Sequence, residues 1–203
     1  MLAVIDYGAG NLRSVLHALT YLGVESIRVI RSPHELRGAD RIILPGVGAF
    51  GAGMQKLREQ NLIPAIKDAV YVGIPYLGIC LGMQFLFEYS DEMGHHEGLG
   101  LLPGCVTRFP DMPGYKVPHM GWNEIKPTRY SPLLQGIDGG YAYFVHSYYC
   151  VPLQQSDIIL QVDYGIQVTA AVQRDNIYGV QFHPEKSQRT GLKILSNFLE
   201  IER

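Results

Sequence analysis

One cysteine in this sequence lies in a setting suited to nucleophilic chemistry. Cys80 stands between Gly78 and Gly82, directly after the apolar run 74–79. Glycines at these positions allow a strand and a following helix to pack closely around a strained turn. Such a turn would present the thiol at the N-terminal end of the helix, where the dipole favours the nucleophilic thiolate. The pattern is typical of a nucleophile elbow, and the flanking glycines argue against an inert buried cysteine.

A histidine and a glutamate near the C-terminus could act as the base and its orienting group. His183 follows the apolar run 177–182, and Glu185 lies two residues further on. An imidazole can take the proton of a thiol and later give it to a leaving group. A carboxylate bonded to the other ring nitrogen would fix the tautomer and stabilise the imidazolium. Pro184 restricts the backbone between them, so that one loop can aim both side chains.

A glycine-rich turn at 45–48 could supply the remaining part of such a site. It follows the short apolar run 41–44, and its backbone N–H groups could point toward a developing oxyanion. Gly48 would give one donor, and the N–H of Leu81, directly after the cysteine, would give the other. Alone this turn would be an ordinary connection between a strand and a helix. With the other two segments it completes a set of nucleophile, base, orienting carboxylate and oxyanion donors.

Length and composition predict one globular domain, 1–203, without a role at nucleic acids or membranes. The chain has 203 residues, 47% of them hydrophobic, and a formal net charge of −2 without a basic cluster. No apolar run is long enough to span a bilayer, and the N-terminus does not resemble a signal peptide. The three cysteines, Cys80, Cys105 and Cys150, are widely spaced and odd in number, which favours a reducing cytoplasm.

Two further segments suggest other chemistry, and both are interpreted as structural. The His95-His96 pair lies near two glutamates, but a histidine pair in a glycine-bounded loop is more often solvated, so no metal site is expected. The turn at 8–10 lacks the third glycine of a dinucleotide-binding loop. The sequence therefore predicts neither a metal nor a cofactor.

The pattern of strands and helices changes near residue 100. Before it, strands predicted at 2–5, 26–30, 41–44 and 74–79 alternate with helices at 12–19, 50–59, 61–71 and 81–89. After it, strand-like segments at 141–146, 148–151, 158–162, 169–172 and 177–182 precede a last helix from Ser187 or Thr190. We predict an α/β fold with a flavodoxin-like open, mostly parallel sheet, helices on both faces, and an antiparallel β extension in the second half. The site segments follow strand C-terminal ends, where such sheets bind ligands.

Nearly the whole chain resembles the class I, triad-type glutamine amidotransferases. The resemblance rests on 45–48, 78–84 and 183–185, in that order. It implies hydrolysis of glutamine through a cysteine thioester and delivery of ammonia to a synthase partner. It also implies that Cys80 is the nucleophile, His183 the base and acid, and Glu185 the orienter. The residues expected to hold glutamine are Gln84, Glu92, His146, Ser147 and Tyr148.

A narrower resemblance, to the glutaminase subunits of imidazole glycerol phosphate synthases, rests on 118–124 together with 6–11 and 143–148. It implies a cytoplasmic heterodimer with a (β/α)8-barrel cyclase. That partner uses the ammonia to make imidazole glycerol phosphate and aminoimidazole carboxamide ribotide in histidine biosynthesis. The residues expected at the interface are Asn11, Pro118, Trp122 and Lys186. Trp122 is the only tryptophan, and its role as interface anchor or core residue stays open at this point.

Three alternatives remain. Another amidotransferase of the class, such as the glutaminase of anthranilate synthase or of pyridoxal phosphate synthase, would share the triad. The triad cannot separate these enzymes, and the run 118–123 favours the imidazole enzyme. A stand-alone cysteine hydrolase acting on γ-glutamyl peptides would need no partner. A flavodoxin-like binding or regulatory module with an inactive site would carry a thiol of ordinary reactivity toward iodoacetamide.

Overall fold

The centre of the fold is a nine-stranded sheet in a computed structural model that describes residues 1–8 and 11–202. Its parallel strands are β1 (Leu2–Ile5), β2 (Ile27–Ile30), β3 (Arg41–Gly46), β4 (Tyr76–Cys80) and β13 (Ile177–Val180). They lie in the order β2-β1-β3-β4-β13. This is the flavodoxin-like arrangement predicted from the sequence. Residues 9 and 10 of the glycine turn lie outside the described residues.

Four antiparallel strands extend the sheet beyond β13, as predicted. They are β12 (Gln167–Arg174), β11 (Ile158–Asp163), β8 (His119–Pro127) and β9 (Gly140–His146), in that order. Strand β8, which begins at His119, was not predicted from the sequence. The alternation of apolar and polar residues did not reveal this strand, because it runs opposite to the usual one. The polar His119 is buried, whereas the apolar Met120 and Trp122 are exposed.

A small second sheet packs beside the first. Its strands are β5 (Tyr89–Ser90), β6 (His96–Glu97), β7 (Gly104–Arg108) and β10 (Tyr148–Pro152), in the order β10-β7-β5-β6. Over residues 1–8 and 11–202, no group of three or more His, Cys, Asp or Glu side chains is placed to hold a metal ion. None of the helices described in that part of the chain has the length and apolar character that crossing a bilayer requires.

Helices cover both faces of the large sheet. They are α1 (Leu12–Tyr21), α2 (Phe50–Glu59), α3 (Leu62–Tyr71), α4 (Leu81–Gln84) and α5 (Gln188–Glu200). Val15 and Leu19 of α1 share one core cluster with Ile194 of α5. Leu57 of α2 and Ile66 of α3 belong to a second cluster on the opposite face. The helices on both faces are therefore confirmed.

Helix α4 ends at Gln84 and not near Tyr89, so the predicted helix over 81–89 is wrong in its length. Phe85, Leu86 and Phe87 follow the helix and are fully buried. Their carbonyl groups accept backbone hydrogen bonds from the returning segment 99–102. The chain therefore turns after one helical turn and leads into the second sheet.

The turn at Cys80 is strained and very closely packed. Cys80 has φ 55° and ψ −110°, a conformation that costs energy for a residue with a Cβ atom. A Cβ atom on Gly82 would overlap the carbonyl oxygen of Leu44 in β3, and one on Gly78 would overlap the carbonyl oxygen of Gly82. Both obstacles are backbone atoms, so no side-chain rotation can relieve the overlap. The two glycines are thus required by close packing at the elbow.

We expect Gly82→Ala to destabilise the fold far more than Gly38→Ala, which is its control. Gly38 has φ +77° but open space where a Cβ atom would lie, so alanine there costs about 1 kcal/mol through backbone strain alone. At Gly82 the methyl group meets fixed backbone, and we expect a loss of at least about 4 kcal/mol. Urea denaturation measures both. Similar losses in the two variants would contradict the close-packing account.

Candidate active site

Neighbouring strands bring the predicted catalytic side chains to one edge of the sheet. In the parallel pair β4–β13, Ile79 lies opposite Val180. Cys80 ends β4 and His183 follows β13 by three residues, so both emerge at the C-terminal edge. On the other side of β4, Gly46 pairs with Cys80. The three segments singled out in the sequence therefore meet at one place.

A pocket of about 320 Å³ opens over the thiol. This volume suits a small ligand. Its lining includes every residue predicted as nucleophile, base, oxyanion donor or substrate contact. The orienting Glu185 is not part of this lining. Its lining residues are Val47, Gly48, Cys80, Leu81, Gln84, Glu92, Pro118, Val145, His146, Ser147, Tyr148 and His183.

His183 and Glu185 form a buried pair behind the thiol. His183 Nδ1 lies 2.9 Å from Glu185 Oε1, and the side chains are 3% and 1% exposed. His183 Nε2 is also buried, and it makes no hydrogen bond to any described residue. Because Nδ1 donates its hydrogen to Glu185, Nε2 is the nitrogen available for proton transfer on the pocket side.

The pKa of His183 is raised to about 10. Burial by itself lowers it, but the interactions with Cys80 and Glu185, whose negative charges favour the imidazolium, outweigh burial. The imidazolium is therefore favoured when the thiol and the carboxyl group beside it are ionised. This arrangement is suited to a thiolate–imidazolium pair.

Gln181, which was not predicted from the sequence as a site residue, lies beside the sulfur. Its Nε2 donates to Cys80 Sγ over 3.8 Å, and its Oε1 accepts from Gln84 Nε2 at 3.1 Å. Gln84 Nε2 also donates to the Tyr148 carbonyl oxygen at 3.2 Å. Both glutamines are buried, so the amide groups hold each other in place. A glutamine within the apolar run 177–182 was the signal available in the sequence.

Glu92 and the 46–48 turn are linked through helix α2. One oxygen of Glu92, Oε2, accepts from the N–H of Phe50, the first residue of α2, at 2.6 Å. A carboxylate at a helix N-terminus is favoured by the unpaired N–H groups there. Gly48, which lines the pocket, has φ +100° and is exposed. Glu92 thus fixes the far end of the turn that carries Gly48.

The oxyanion candidates flank the thiol from two directions. Leu81 is the first residue of α4, where backbone N–H groups lack partners within the helix. Gly48 approaches from the turn after β3.

The four predicted interface residues lie in different surroundings. Pro118 borders the pocket, and Trp122 is 47% exposed on β8, so a core role for the tryptophan is wrong. Exposed Lys186 lies with Nζ 5.9 Å from the centre of the Tyr143 ring, which also contacts Trp122 edge-on. Asn11 borders a narrow crevice shared with Glu185.

Asn11 occupies the N-cap position of α1, but its side chain makes no capping hydrogen bond. Its Oδ1 accepts from the Ser14 hydroxyl at 2.9 Å. The short side chain is therefore engaged by a hydroxyl group and not by the backbone.

We expect the stability of the chain to depend on His183 between pH 6.5 and about 10. A histidine whose pKa is raised on folding stabilises the folded state fully below its unfolded pKa, and this contribution is lost as the pH rises through the folded pKa. From pH 6.5 to 9.5, the free energy of unfolding should fall more in the wild type than in His183→Gln. Urea denaturation at the two pH values measures this difference.

Cys80→Ala provides the control for the same experiment. It removes one of the groups that raise the pKa of His183, so its pH dependence should lie between those of the wild type and His183→Gln. Identical pH dependence in all three proteins would contradict the proposed pairing.

Comparisons with known proteins agree with this geometry. The family model described as glutamine amidotransferase class-I matches residues 3–201. A protein of Desulfitobacterium hafniense (strain Y51), named imidazole glycerol phosphate synthase subunit HisH, is 52% identical over 199 residues, covering 98% of this chain and 93% of the relative. The protein of the same name in Methanothermobacter thermautotrophicus is 48% identical over 205 residues and covers 100% of both chains.

Solved structures share the fold at lower sequence identity. A glutamine amidotransferase crystal structure matches with a TM-score of 0.77 and 20% identity, covering 98% of this chain and 97% of the other. PurLQS from Thermotoga maritima matches with a TM-score of 0.76 and 23% identity, with coverages of 98% and 96%. The family match, the close relatives and the fold lead to one conclusion: the chain belongs to the class I glutamine amidotransferases and, within them, to the family of imidazole glycerol phosphate synthase subunits HisH.

Proposed function

We propose that this chain is the glutaminase subunit of imidazole glycerol phosphate synthase. It hydrolyses glutamine to glutamate and ammonia, as one amidotransferase domain over residues 1–203. The ammonia goes to a cyclase subunit that makes imidazole glycerol phosphate and aminoimidazole carboxamide ribotide in histidine biosynthesis. The observation that carries the proposal is identity of 48 to 52% with relatives of that name over nearly the full length of both chains. The pocket at Cys80 supports it, because it joins the thiol, His183 and the proposed substrate-holding residues.

The first half of the reaction forms a thioester. Cys80 Sγ attacks the side-chain amide carbon of glutamine, and the oxyanion accepts hydrogen bonds from the N–H groups of Gly48 and Leu81. His183 holds the thiol proton and gives it to the departing nitrogen, which leaves as ammonia. Glu185, through its 2.9 Å contact with Nδ1, keeps Nε2 directed toward the reacting atoms.

The second half releases glutamate. His183, now neutral, takes a proton from water, and the hydroxide equivalent adds to the thioester carbon. The carbon–sulfur bond breaks, and the proton on His183 stays with the Cys80–His183 pair. The new γ-carboxylic acid gives its own proton to ammonia or solvent, and glutamate leaves as the carboxylate. One water is consumed for each glutamine, and no cofactor enters the balance.

The remaining pocket residues hold the amino-acid end of glutamine. The Glu92 carboxylate suits the α-ammonium group, and its second oxygen is the one not bonded to Phe50. Ser147 and Tyr148 line the same pocket between β9 and β10, where backbone and hydroxyl groups can meet the α-carboxylate. Gln84 and His146 hold the wall of the pocket.

The partner is proposed to dock on the outer face of β8 and β9. Met120, Trp122 and Tyr141 are 61%, 47% and 60% exposed on these paired strands, so they form an apolar surface next to Pro118 at the pocket. Trp122 is suited to act as an anchor and Lys186 as a partner for an acidic residue. We propose a (β/α)8-barrel cyclase in the cytoplasm as this partner, with Asn11 at the edge of the contact.

A docked partner would also protect the product. Ammonia must reach the cyclase without loss to water, so the pocket should open toward the partner. The Gly46-Val47-Gly48 turn can hold more than one backbone conformation, and we propose that partner and nucleotide binding set its N–H groups for catalysis. Glutaminase activity of the chain alone should therefore be low and rise when both are added.

We expect Cys80→Ala to abolish glutamine-dependent synthesis by the complex but to leave synthesis from ammonium salts unchanged. The cyclase then receives ammonia from solution and needs only a docked, folded subunit. Assays of the complex with glutamine and with ammonium chloride measure the two reactions.

His183→Ala should lower the rate of glutamine-dependent synthesis by several orders of magnitude, since the triad acts as a unit. Full glutaminase activity of the wild-type chain alone would contradict the proposal and favour a stand-alone hydrolase.

We expect Trp122→Ala to weaken docking by at least about tenfold while the fold stays intact, because the exposed indole contributes little to the core. Tyr71→Ala is the matched control. Tyr71 is also an exposed aromatic residue, at 90%, but it lies on helix α3 and not on the proposed docking face. Calorimetric titration with the cyclase and thermal unfolding of each variant separate binding from stability. Equal affinities for the two variants would contradict the assignment of this face.

A further inference from the structure

We propose that His119 and Asn123 are positioning residues for the glutaminase reaction, acting on the pocket through His146 and the backbone carbonyl of Tyr148. Neither residue lines the pocket. The kinetic part of the inference rests on the proposed function, whereas its structural part can be tested in the chain alone. It is carried by a line of hydrogen bonds in which the direction of each bond follows from the one before.

The line starts at an acceptor that cannot change its role. The Tyr148 carbonyl oxygen lies 2.8 Å from His146 Nδ1, so Nδ1 must carry the proton and donate. A neutral His146 then has an unprotonated Nε2, which lies 3.0 Å from His119 Nδ1. His119 Nδ1 must therefore donate to His146.

The same reasoning fixes the far end of the line. With its proton on Nδ1, neutral His119 offers Nε2 as an acceptor, and Asn123 Nδ2 lies 3.3 Å away. That amide group also donates to the Asp163 carbonyl oxygen at 2.9 Å, while Asn123 Oδ1 accepts from the N–H of Glu124 at 2.8 Å. Its orientation is therefore fixed independently of the histidines, and it supplies the donor that His119 needs.

Burial requires both histidines to be neutral. His119 and His146 are 2% and 6% exposed, and the His119 ring is stacked between Phe144 and Tyr164, at centroid distances of 4.7 and 4.0 Å. Burial lowers the pKa of His119 to about 4. Burial also lowers the pKa of His146 to about 3, against the opposing effect of its bond to Tyr148. An extra proton on either ring would set two donors against each other.

The line reaches the thiol through the carbonyl group of Tyr148. That oxygen also accepts from Gln84 Nε2 at 3.2 Å, and Gln84 Nε2 in turn donates to Gln181 Oε1 at 3.1 Å. Gln181 is thereby held with its NH₂ group toward Cys80 Sγ. The tautomers of the two histidines thus fix the pocket wall that holds glutamine and the amide group beside the nucleophile.

The test compares two variants of His119 that differ in one hydrogen-bond donor. In His119→Asn the amide Nδ2 takes the place of the ring Nδ1 and can still donate to His146. In His119→Leu the size is similar but no donor remains. We expect kcat/KM for glutamine in the complex with the cyclase to stay within about threefold in the Asn variant and to fall by about tenfold or more in the Leu variant.

Two readouts in the chain alone keep the inference independent of the partner. Nitrogen-15 NMR at pH 7 should show both histidines as neutral Nδ1–H tautomers in the wild type. His146 should keep this state in His119→Asn and lose it in His119→Leu. The rate of Cys80 alkylation by iodoacetamide should follow the same order, and thermal unfolding of each variant shows whether folding is affected.

Asn123→Asp is the second variant, because it is nearly isosteric but can only accept at this position. Its carboxylate should draw a proton onto His119 Nε2. The hydrogen bonds between the two histidines then reverse their direction, or one histidine becomes protonated, and the same NMR spectra detect both states. Equal kinetics and alkylation rates for His119→Asn and His119→Leu, or a His146 proton on Nε2 in the wild type, would overturn the inference. Absent glutaminase activity in the wild-type complex would instead overturn the proposed function and leave the NMR and alkylation results to decide the inference.

Discussion

The backbones of β3, β4 and α4 approach each other around Cys80 more closely than any side chain at Gly78 or Gly82 would permit. This contact forces Cys80 into the left-handed region at φ 55° and ends β4 at the thiol. Because β4 lies between β3 and β13, the position of the thiol also sets its distance from the turn at Gly48 and from His183. The site is therefore defined by backbone packing, and the side chains add chemistry to a frame that already exists.

Electrostatics within that frame depends on burial. The Glu185 carboxylate and the His183 ring are almost inaccessible, and each compensates for the desolvation of the other. The neighbouring pair His119 and His146 is equally buried but has no carboxylate among its hydrogen-bond partners, and its pKa values are shifted in the opposite direction. The same residue type thus occurs as a readily charged base and as two neutral hydrogen-bond relays, one of which, His146, lines the same pocket. Environment, and not residue type, separates these roles.

The three catalytic segments, 45–48, 78–84 and 183–185, were predictable from the sequence. Each is joined to an apolar strand and contains glycines or a proline that allow a tight turn or restrict the backbone. The alternation of strands and helices likewise predicted the parallel part of the sheet. What could not be predicted depends on contacts between distant segments. Helix α4 is short because segment 99–102 bonds to the carbonyl groups of the three residues that follow it, 85–87. Strand β8 was missed because its inward face carries His119, Gly121 and Asn123. Gln181 and His119 acquire their roles only when strands far apart in the chain become neighbours.

Strand β13 lies in the middle of the sheet although it is among the last segments of the chain to be synthesised. Until it inserts between β4 and β12, the edge of β4 is open and Cys80 has no base beside it. A nascent chain therefore carries its thiol without its general base until residues 177–185 have left the ribosome. During that interval the open apolar edge of β4 is an aggregation hazard. Late completion therefore leaves the nucleophile without its base, but it also leaves this edge exposed until the chain is finished.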